Sequence, residues 1–331
     1  MSFLDGQRVL LVMPSFFGYE RDIKCELEQQ GATVDWLPDR PYDTPVMKAL
    51  TKLSPGLVQL ATDRLYERLL EEFDAKHYDI VLVVNGQVLS KRMLQRLHTS
   101  FPAAQYVLYM WDSLANRNNI RNNFSLFDRI YTFDPQDAAR YQLRFRPLFY
   151  SRNFKVVPEA HSMRYHISFV GTAHSDRFAV IDRVRKQLPE EICAYWYLYL
   201  QAPWVLQIYR WIKPNMRHAR YQDFHFTPLD RQTVQSVFAE SRAILDIEHP
   251  RQIGLTMRTF EALGAGKKLV TTNMNVRNYD FYSEDNVCVI DRADPRIPAR
   301  FLDTPFTALP ESIRRRYSIE GWLEELLQKS D

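Results

Sequence analysis

The sequence predicts an α/β chain of two doubly wound halves, each built on a parallel sheet. Short apolar runs rich in β-formers recur along it, such as 8–13 and 78–84, and strands buried on both faces read this way. Segments of helical spacing alternate with these runs, the order that builds a parallel sheet. The alternation occurs twice, with a polar stretch up to Tyr165 between the two series.

In the first half, residues 8–13 form the opening strand, and 14–19 a loop containing Gly18. Residues 20–30 have helical spacing and stop at Gly31, a suitable C-cap, before a strand at 33–37. Residues 44–76 read as helical with a break at Pro55-Gly56. The strand at 78–84 closes on Asn85-Gly86, residues 90–99 are helical, and strands follow at 105–110 and 129–133. Asp134 caps the next helix, with Pro135 at its first position. The domain boundary falls in the polar stretch, so the expected domains are 1–155 and 156–315, with a terminal helical segment at 316–331. The second half starts with a strand at 166–170 and a helix at 176–188, followed by an aromatic region at 194–226. A helix at 231–241, a strand at 243–247 and a late strand at 287–290 complete it.

Bulk properties narrow the function. The 331 residues suffice for two domains of ordinary size, and 46% hydrophobic content is that of a globular chain. A net charge of +3 is too small to indicate nucleic acid, and no nucleic-acid motif accompanies it. Cys25, Cys193 and Cys288 lie far apart with neither zinc nor disulfide spacing, which predicts a reducing, cytoplasmic setting. The first residues lack the pattern of a secretory leader, and no apolar run reaches the ~18 residues of a membrane span.

The most informative stretch runs from Gly254 to Asn273 and reads as loop, short helix, glycine turn and buried strand. A helix opening after a strand offers backbone N–H groups and a positive dipole end, which suits a phosphate. Gly254, Leu255 and Thr256 stand at that opening. Arg258 and Glu261 are three apart and share a helix face. An arginine fork clamps a diphosphate, and a carboxylate one turn on accepts both hydroxyls of a ribose. The set points to a nucleotide-diphosphate ligand. The plainer reading is an ordinary strand–helix–strand unit with a C-cap glycine at Gly264 or Gly266.

Other candidates sit after strands. Gly171-Thr172 ends the strand at 166–170, and Gly171 permits close approach of the backbone. Arg177 follows at a helix opening, within reach of phosphate oxygens; in the alternative, Asp176 merely caps that helix and Arg177 is solvated. His249 lies in the loop beside the later helix, positioned to touch phosphate or sugar. Asp112 follows the strand at 105–110, at the sheet edge where ligands of open α/β sheets gather, and is the first candidate for a general base; the plainer reading is a helix cap or a solvated loop aspartate. Glu20, in the loop after the first strand, is the second catalytic candidate, with surface packing as the plainer reading. Asp246 and Glu248 are two apart, a spacing that lets two carboxylates share a metal, but their surroundings do not suit one and no obligatory metal is expected.

The 254–273 stretch resembles the donor-binding segment of GT-B glycosyltransferases, where a glutamate on a helix ending in a small-residue turn holds the nucleotide ribose; here Glu261 precedes Ala262 to Gly266. Many retaining members carry a second glutamate eight positions upstream, where this chain has Ile253, which leaves the stereochemistry open. From residue 78 to 292 the chain is also similar to CgeB-like proteins of bacterial surface-polysaccharide assembly. The residues that carry this are Tyr109 to Ser113, Phe133-Asp134 with Asp137, Arg146 to Tyr150 and Phe169 to Thr172 with Asp176-Arg177. In the later part they are Gly254 to Arg258, Phe260-Glu261, Lys268 to Asn273 and Tyr279 to Tyr282.

The resemblance implies two Rossmann-like domains facing a cleft, with the terminal helix returning to the first. It implies a nucleotide-diphosphate sugar as donor substrate and a saccharide or lipid-linked saccharide as acceptor, in capsule, lipopolysaccharide or exopolysaccharide synthesis. Arg177, Arg258 and the 254–256 backbone would meet the diphosphate. Two alternatives stay open: a non-catalytic nucleotide-sugar-binding assembly subunit, and a transferase of a glycerol-phosphate type group. The aromatic residues at 195–213, followed by Arg217, His218 and Arg220, suit an anionic inner-membrane surface as well as a buried strand and helix.

Overall fold

The computed structural model describes residues 2–39, 67–73, 75–86, 89–115, 118–155 and 163–328. Most of the helical expectation for 44–76 lies outside them; 67–71 is helical. The chain forms two compact units. One runs to Pro147 and takes in the segment from Ile319; the other is Leu148–Ser318.

The first unit carries six parallel strands in the order β2-β1-β3-β4-β5-β6. They are β1 (Arg8–Met13), β2 (Thr33–Pro38), β3 (Ile80–Val84), β4 (Gln105–Met110), β5 (Arg129–Thr132) and β6 (Arg144–Phe145). β1, β3 and β4 are buried along nearly their whole length, which is why they read as continuous apolar runs rather than alternating ones. β6 escaped the sequence reading because it is two residues long and exposed. The helix Ile319–Leu327 belongs to this unit. It buries Trp322, whose ring meets Tyr109 edge-on at 4.8 Å, along with Leu323 and Leu326. Burying each of these leucines contributes roughly 1.5–3 kcal/mol. Its carboxyl end is tied down by polar contacts: Tyr131 Oη donates to the Glu325 carbonyl at 3.0 Å, and fully buried Arg146 pairs with Glu325 at 2.9 Å.

The second unit has five parallel strands in the order β11-β10-β9-β7-β8. They are β7 (Tyr165–Thr172), β8 (Ala194–Tyr199), β9 (Ser241–Asp246), β10 (Lys268–Thr271) and β11 (Val287–Val289). Ile167, Phe169, Leu198, Leu245, Ile247 and Val270 fill its core. The aromatic region resolves into β8 and a helix, Pro203–Ile212. Its rings occupy both buried and exposed positions, so neither a period of 2 nor one of 3.6 stands out in the sequence.

The two glycines that close the helix Met257–Gly264 have different jobs. Gly266 turns the chain at φ 62°, in the left-handed region. Gly264 is a packing glycine: a Cβ there would lie 2.4 Å from Cγ and Cδ2 of the Tyr150 ring. Tyr150 is held on two sides, its amide donating to the Tyr317 carbonyl at 2.9 Å and its hydroxyl to the Arg314 carbonyl at 2.8 Å. An alanine in a helix is ordinarily better than glycine by about 0.5–1 kcal/mol. Here overpacking of about 1–3 kcal/mol outweighs that gain, so Gly264→Ala is expected to lower the melting temperature. Thermal unfolding of the variant checks this, and an unchanged or raised midpoint would show that the ring yields.

Candidate functional site

In each sheet the strand order reverses at one place, between β1 and β3 in the first unit and between β7 and β9 in the second. Loops leaving neighbouring strands at such a point diverge to opposite faces, and the crevice at the carboxyl ends is where α/β proteins hold ligands.

In the second unit the loops after β7 and β9 bring together most of the predicted binding residues. Arg177, at the start of the helix Arg177–Gln187, joins the two loops: its Nε donates to the Ile247 carbonyl at 2.7 Å and its Nη1 to the Thr172 carbonyl at 3.2 Å. Gly171 makes room for it, since a Cβ there would stand 3.3 Å from Nη1. Arg258 lies across the same junction, donating to Glu261 at 2.8 Å and to the Val170 carbonyl at 3.1 Å. Its guanidinium also sits 4.7 Å above the Phe238 ring. The shared helix face predicted for Arg258 and Glu261 is thus an ion pair, and Glu261 is buried within it.

The helix that carries this pair is anchored from below. Asp246, the last residue of β9, is buried and accepts from Thr256 Oγ1 at 2.7 Å and Thr259 Oγ1 at 2.8 Å. Thr256 is the N-cap, its oxygen accepting from the Thr259 amide. Gly254 and Leu255 are buried in the turn that leads in, where Gln252 donates to the Gly254 carbonyl at 2.9 Å. Glu248 lies beyond the end of β9 and has other partners: Thr272 donates to it at 2.6 Å, and Arg292 pairs with it. The two carboxylates are therefore engaged separately, Asp246 by Thr256 and Thr259 and Glu248 by Thr272 and Arg292.

Sequence reasoning missed Arg292 and His174. Arg292 follows β11 and donates through Nη1 to both oxygens of Asp176 at 2.9 Å, and through Nη2 to the Glu248 carbonyl at 2.9 Å. Asp176 is the N-cap residue of its helix but makes no side-chain cap; its carboxylate goes to Arg292 instead. The position of Arg292 after a strand was the signal that could have found it. His174 lies in the loop after β7, its ring centroid 6.3 Å from that of His249.

The crevice crowds arginines against carboxylates. Burial, with Arg258 and Arg292 nearby, pushes Arg177 down to about 10, opposed by Asp246 and Glu248, and it stays charged at neutral pH. Burial raises the Glu248 carboxyl against the pull of Thr272 and Arg292. His174 is pushed down to about 4 by burial first, then by Arg177, His249 and Lys213, with Asp176 opposing. Between pH 6.5 and about 4 the unfolded chain therefore binds a proton at this residue that the folded chain does not. Stability is expected to fall as pH drops through that window, and His174→Asn to flatten the slope. Urea unfolding at stepped pH checks it; an unchanged slope in the variant would contradict the assignment.

The first unit places its two candidates at the carboxyl end of its own sheet. Glu20, in the first turn of the helix Tyr19–Gln29, is buried and turned onto its own loop, accepting from the Phe16 amide at 3.0 Å and the Ser15 hydroxyl at 3.2 Å. Asp112 follows β4 and accepts from Asn85 Nδ2 at 3.1 Å. Asn85 is in the left-handed region at φ 67° and its Oδ1 accepts from the Trp111 amide at 3.2 Å, so it ties the ends of β3 and β4 together. The Trp111 ring lies 5.7 Å from Phe16 and 6.4 Å from Tyr19, which brings the loops carrying Asp112 and Glu20 together.

Solved structures resemble the chain over nearly its whole length. A glycosyltransferase from Rickettsia africae ESF-5 is 12% identical with a TM-score of 0.56, over 98% of this chain and 99% of its own. HepE from Anabaena, in complex with UDP-glucose, is 11% identical with a TM-score of 0.55, over 97% and 95%. The fold is that of the GT-B glycosyltransferases. The catalytic domain of starch synthase IV from Arabidopsis thaliana, bound to ADP and acarbose, also shares it: 8% identical, TM-score 0.50, over 98% and 96%. No protein-family model matches the chain, and no curated protein matches it in sequence. Two Rossmann-like units on parallel sheets are the architecture the sequence predicts, and the structure gives the sheets six and five strands.

Proposed function

We propose that the chain is a glycosyltransferase that moves a sugar from a nucleotide-diphosphate sugar to a saccharide or lipid-linked saccharide in bacterial surface-polysaccharide assembly. The observation that carries the reading is the set Arg177, Arg258 and Glu261 at the switch point of the second sheet. In this reading the arginines and the backbone of Gly254 to Thr256 neutralise the diphosphate, and Glu261 accepts the ribose hydroxyls. Positive charge fixed where negative charge develops is usually a large catalytic contribution. The acceptor oxygen attacks the anomeric carbon, the bond from that carbon to the phosphate oxygen breaks, and its electron pair leaves with the nucleoside diphosphate. The hydroxyl proton passes to a base, for which Asp112 is the first candidate. Glu20, already accepting two hydrogen bonds from its own loop, serves to shape that loop. The CgeB-like resemblance supports the polysaccharide context, and the complexes of HepE with UDP-glucose and of starch synthase with ADP support the donor class.

A panel of nucleoside diphosphates and their sugars, tested by thermal shift on the full chain, decides the donor. A ligand that binds only the folded state raises the midpoint by mass action. A shift confined to one base names it, and release of that nucleoside diphosphate with a saccharide acceptor establishes transfer. Binding with no release would instead favour an assembly subunit, and added phosphate in the product a glycerol-phosphate type transferase. No shift with any nucleotide would overturn the reading.

A further inference from the structure

The helix Pro203–Ile212 in the second unit buries Val205 and Leu206 and turns a second apolar face outward. On that face Trp204 is 64% exposed, Ile208 45%, Trp211 89% and Ile212 62%. Their spacing, i, i+4, i+7 and i+8, lines them along one stripe of a helix. Four large apolar side chains gathered on one short helix are a patch, unlike the singly scattered surface hydrophobics that need no explanation. The chain around the helix is rich in basic residues, of which Arg220 is paired with Asp223 at 3.8 Å. From Ile192 to Gln222 the sequence has no acidic residue, and it holds Arg210, Lys213, Arg217 and Arg220. Of these Arg210, Arg217 and Arg220 are exposed, and Lys213 lies 3.6 Å over the Tyr209 ring.

We infer that this helix docks the protein on the surface of an anionic lipid bilayer, its apolar stripe lying in the headgroup region and its basic residues meeting lipid phosphates. Tryptophan favours that boundary, because its ring is apolar with one polar N–H, and each basic residue near an anionic leaflet adds to the attraction. A second copy of the chain is the poorer occupant, since face-to-face pairing would set like charges against one another. An acidic protein partner would satisfy the charge but would not need a lipid. The inference rests on exposure and charge alone and stands apart from the donor chemistry.

Vesicle flotation of the full chain tests it. Phosphatidylcholine vesicles with about 30% phosphatidylglycerol are expected to carry the protein up, and phosphatidylcholine alone to carry far less. Trp204→Ala with Trp211→Ala should weaken binding about tenfold or more, with an unchanged melting temperature because neither ring is buried. Arg210→Glu with Arg217→Glu should weaken it on anionic vesicles only, and added salt should mimic that loss. Absence of binding to anionic vesicles would overturn the inference. So would binding that both double variants retain, or a concentration-dependent dimer that the tryptophan variant abolishes.

Discussion

Arg258→Ala is expected to weaken nucleoside-diphosphate binding about a hundredfold and to destabilise the chain by about 3 kcal/mol. The two effects have separate causes. Loss of affinity follows from removing a planar, charge-assisted donor from the crevice, and such hydrogen bonds are worth about 1.5–3 kcal/mol each. Loss of stability follows because Glu261 is buried and the variant breaks its 2.8 Å ion pair with Arg258. A thermal-shift experiment on this variant alone confuses the two. Arg258→Lys separates them, since an ammonium still pairs with Glu261 but lacks the fork. Its melting temperature should stay near that of the parent while nucleotide affinity, read by isothermal titration, falls about tenfold or more. Equal affinity in the lysine variant would remove Arg258 from the diphosphate site.

Arg292→Ala is expected to cost about 3–5 kcal/mol of stability. Glu248 is buried, and Arg292 meets both its carboxylate and its carbonyl while also holding both oxygens of Asp176. The pH dependence identifies the cause. Burial already raises the Glu248 carboxyl, and loss of the guanidinium raises it further. A carboxyl whose folded pKa is raised binds protons more readily in the folded state, so its contribution to stability declines as pH rises. The variant's deficit should therefore be widest at neutral and alkaline pH and should narrow as pH falls. Guanidinium unfolding across pH measures it. A deficit that does not change with pH would place the loss in packing instead of in an unpaired charge.

Much of the fold was legible because it is written locally. β1, β3 and β4 show as apolar runs, since strands covered on both faces tolerate few polar side chains. The helix Met257–Gly264 shows its N-cap threonine and its glycine turn within a dozen residues or so. Arg258 and Glu261 were legible as a pair for the same reason, because a helix brings positions three apart together whatever surrounds it.

The rest depends on contacts between distant residues. Asp176 looked like a helix cap, yet its carboxylate is drawn to Arg292 because a buried glutamate beside it also needs that cation. Gly264 looked like a helix C-cap, and only the Tyr150 ring, standing where a Cβ would point, shows why no side chain fits. The aromatic region allowed a strand and a helix as one of two readings, and which of its rings are buried became visible only in the structure. By itself the sequence determined most of the strands and helices, and which charged residues share a helix face. Tertiary structure alone decided which loops meet at the switch points, and hence which carbonyls Arg177 and Arg258 hold and which carboxylates Arg292 joins. Propensity and periodicity act over a few residues, whereas strand order sets the neighbours of an ion, and no local pattern encodes that order.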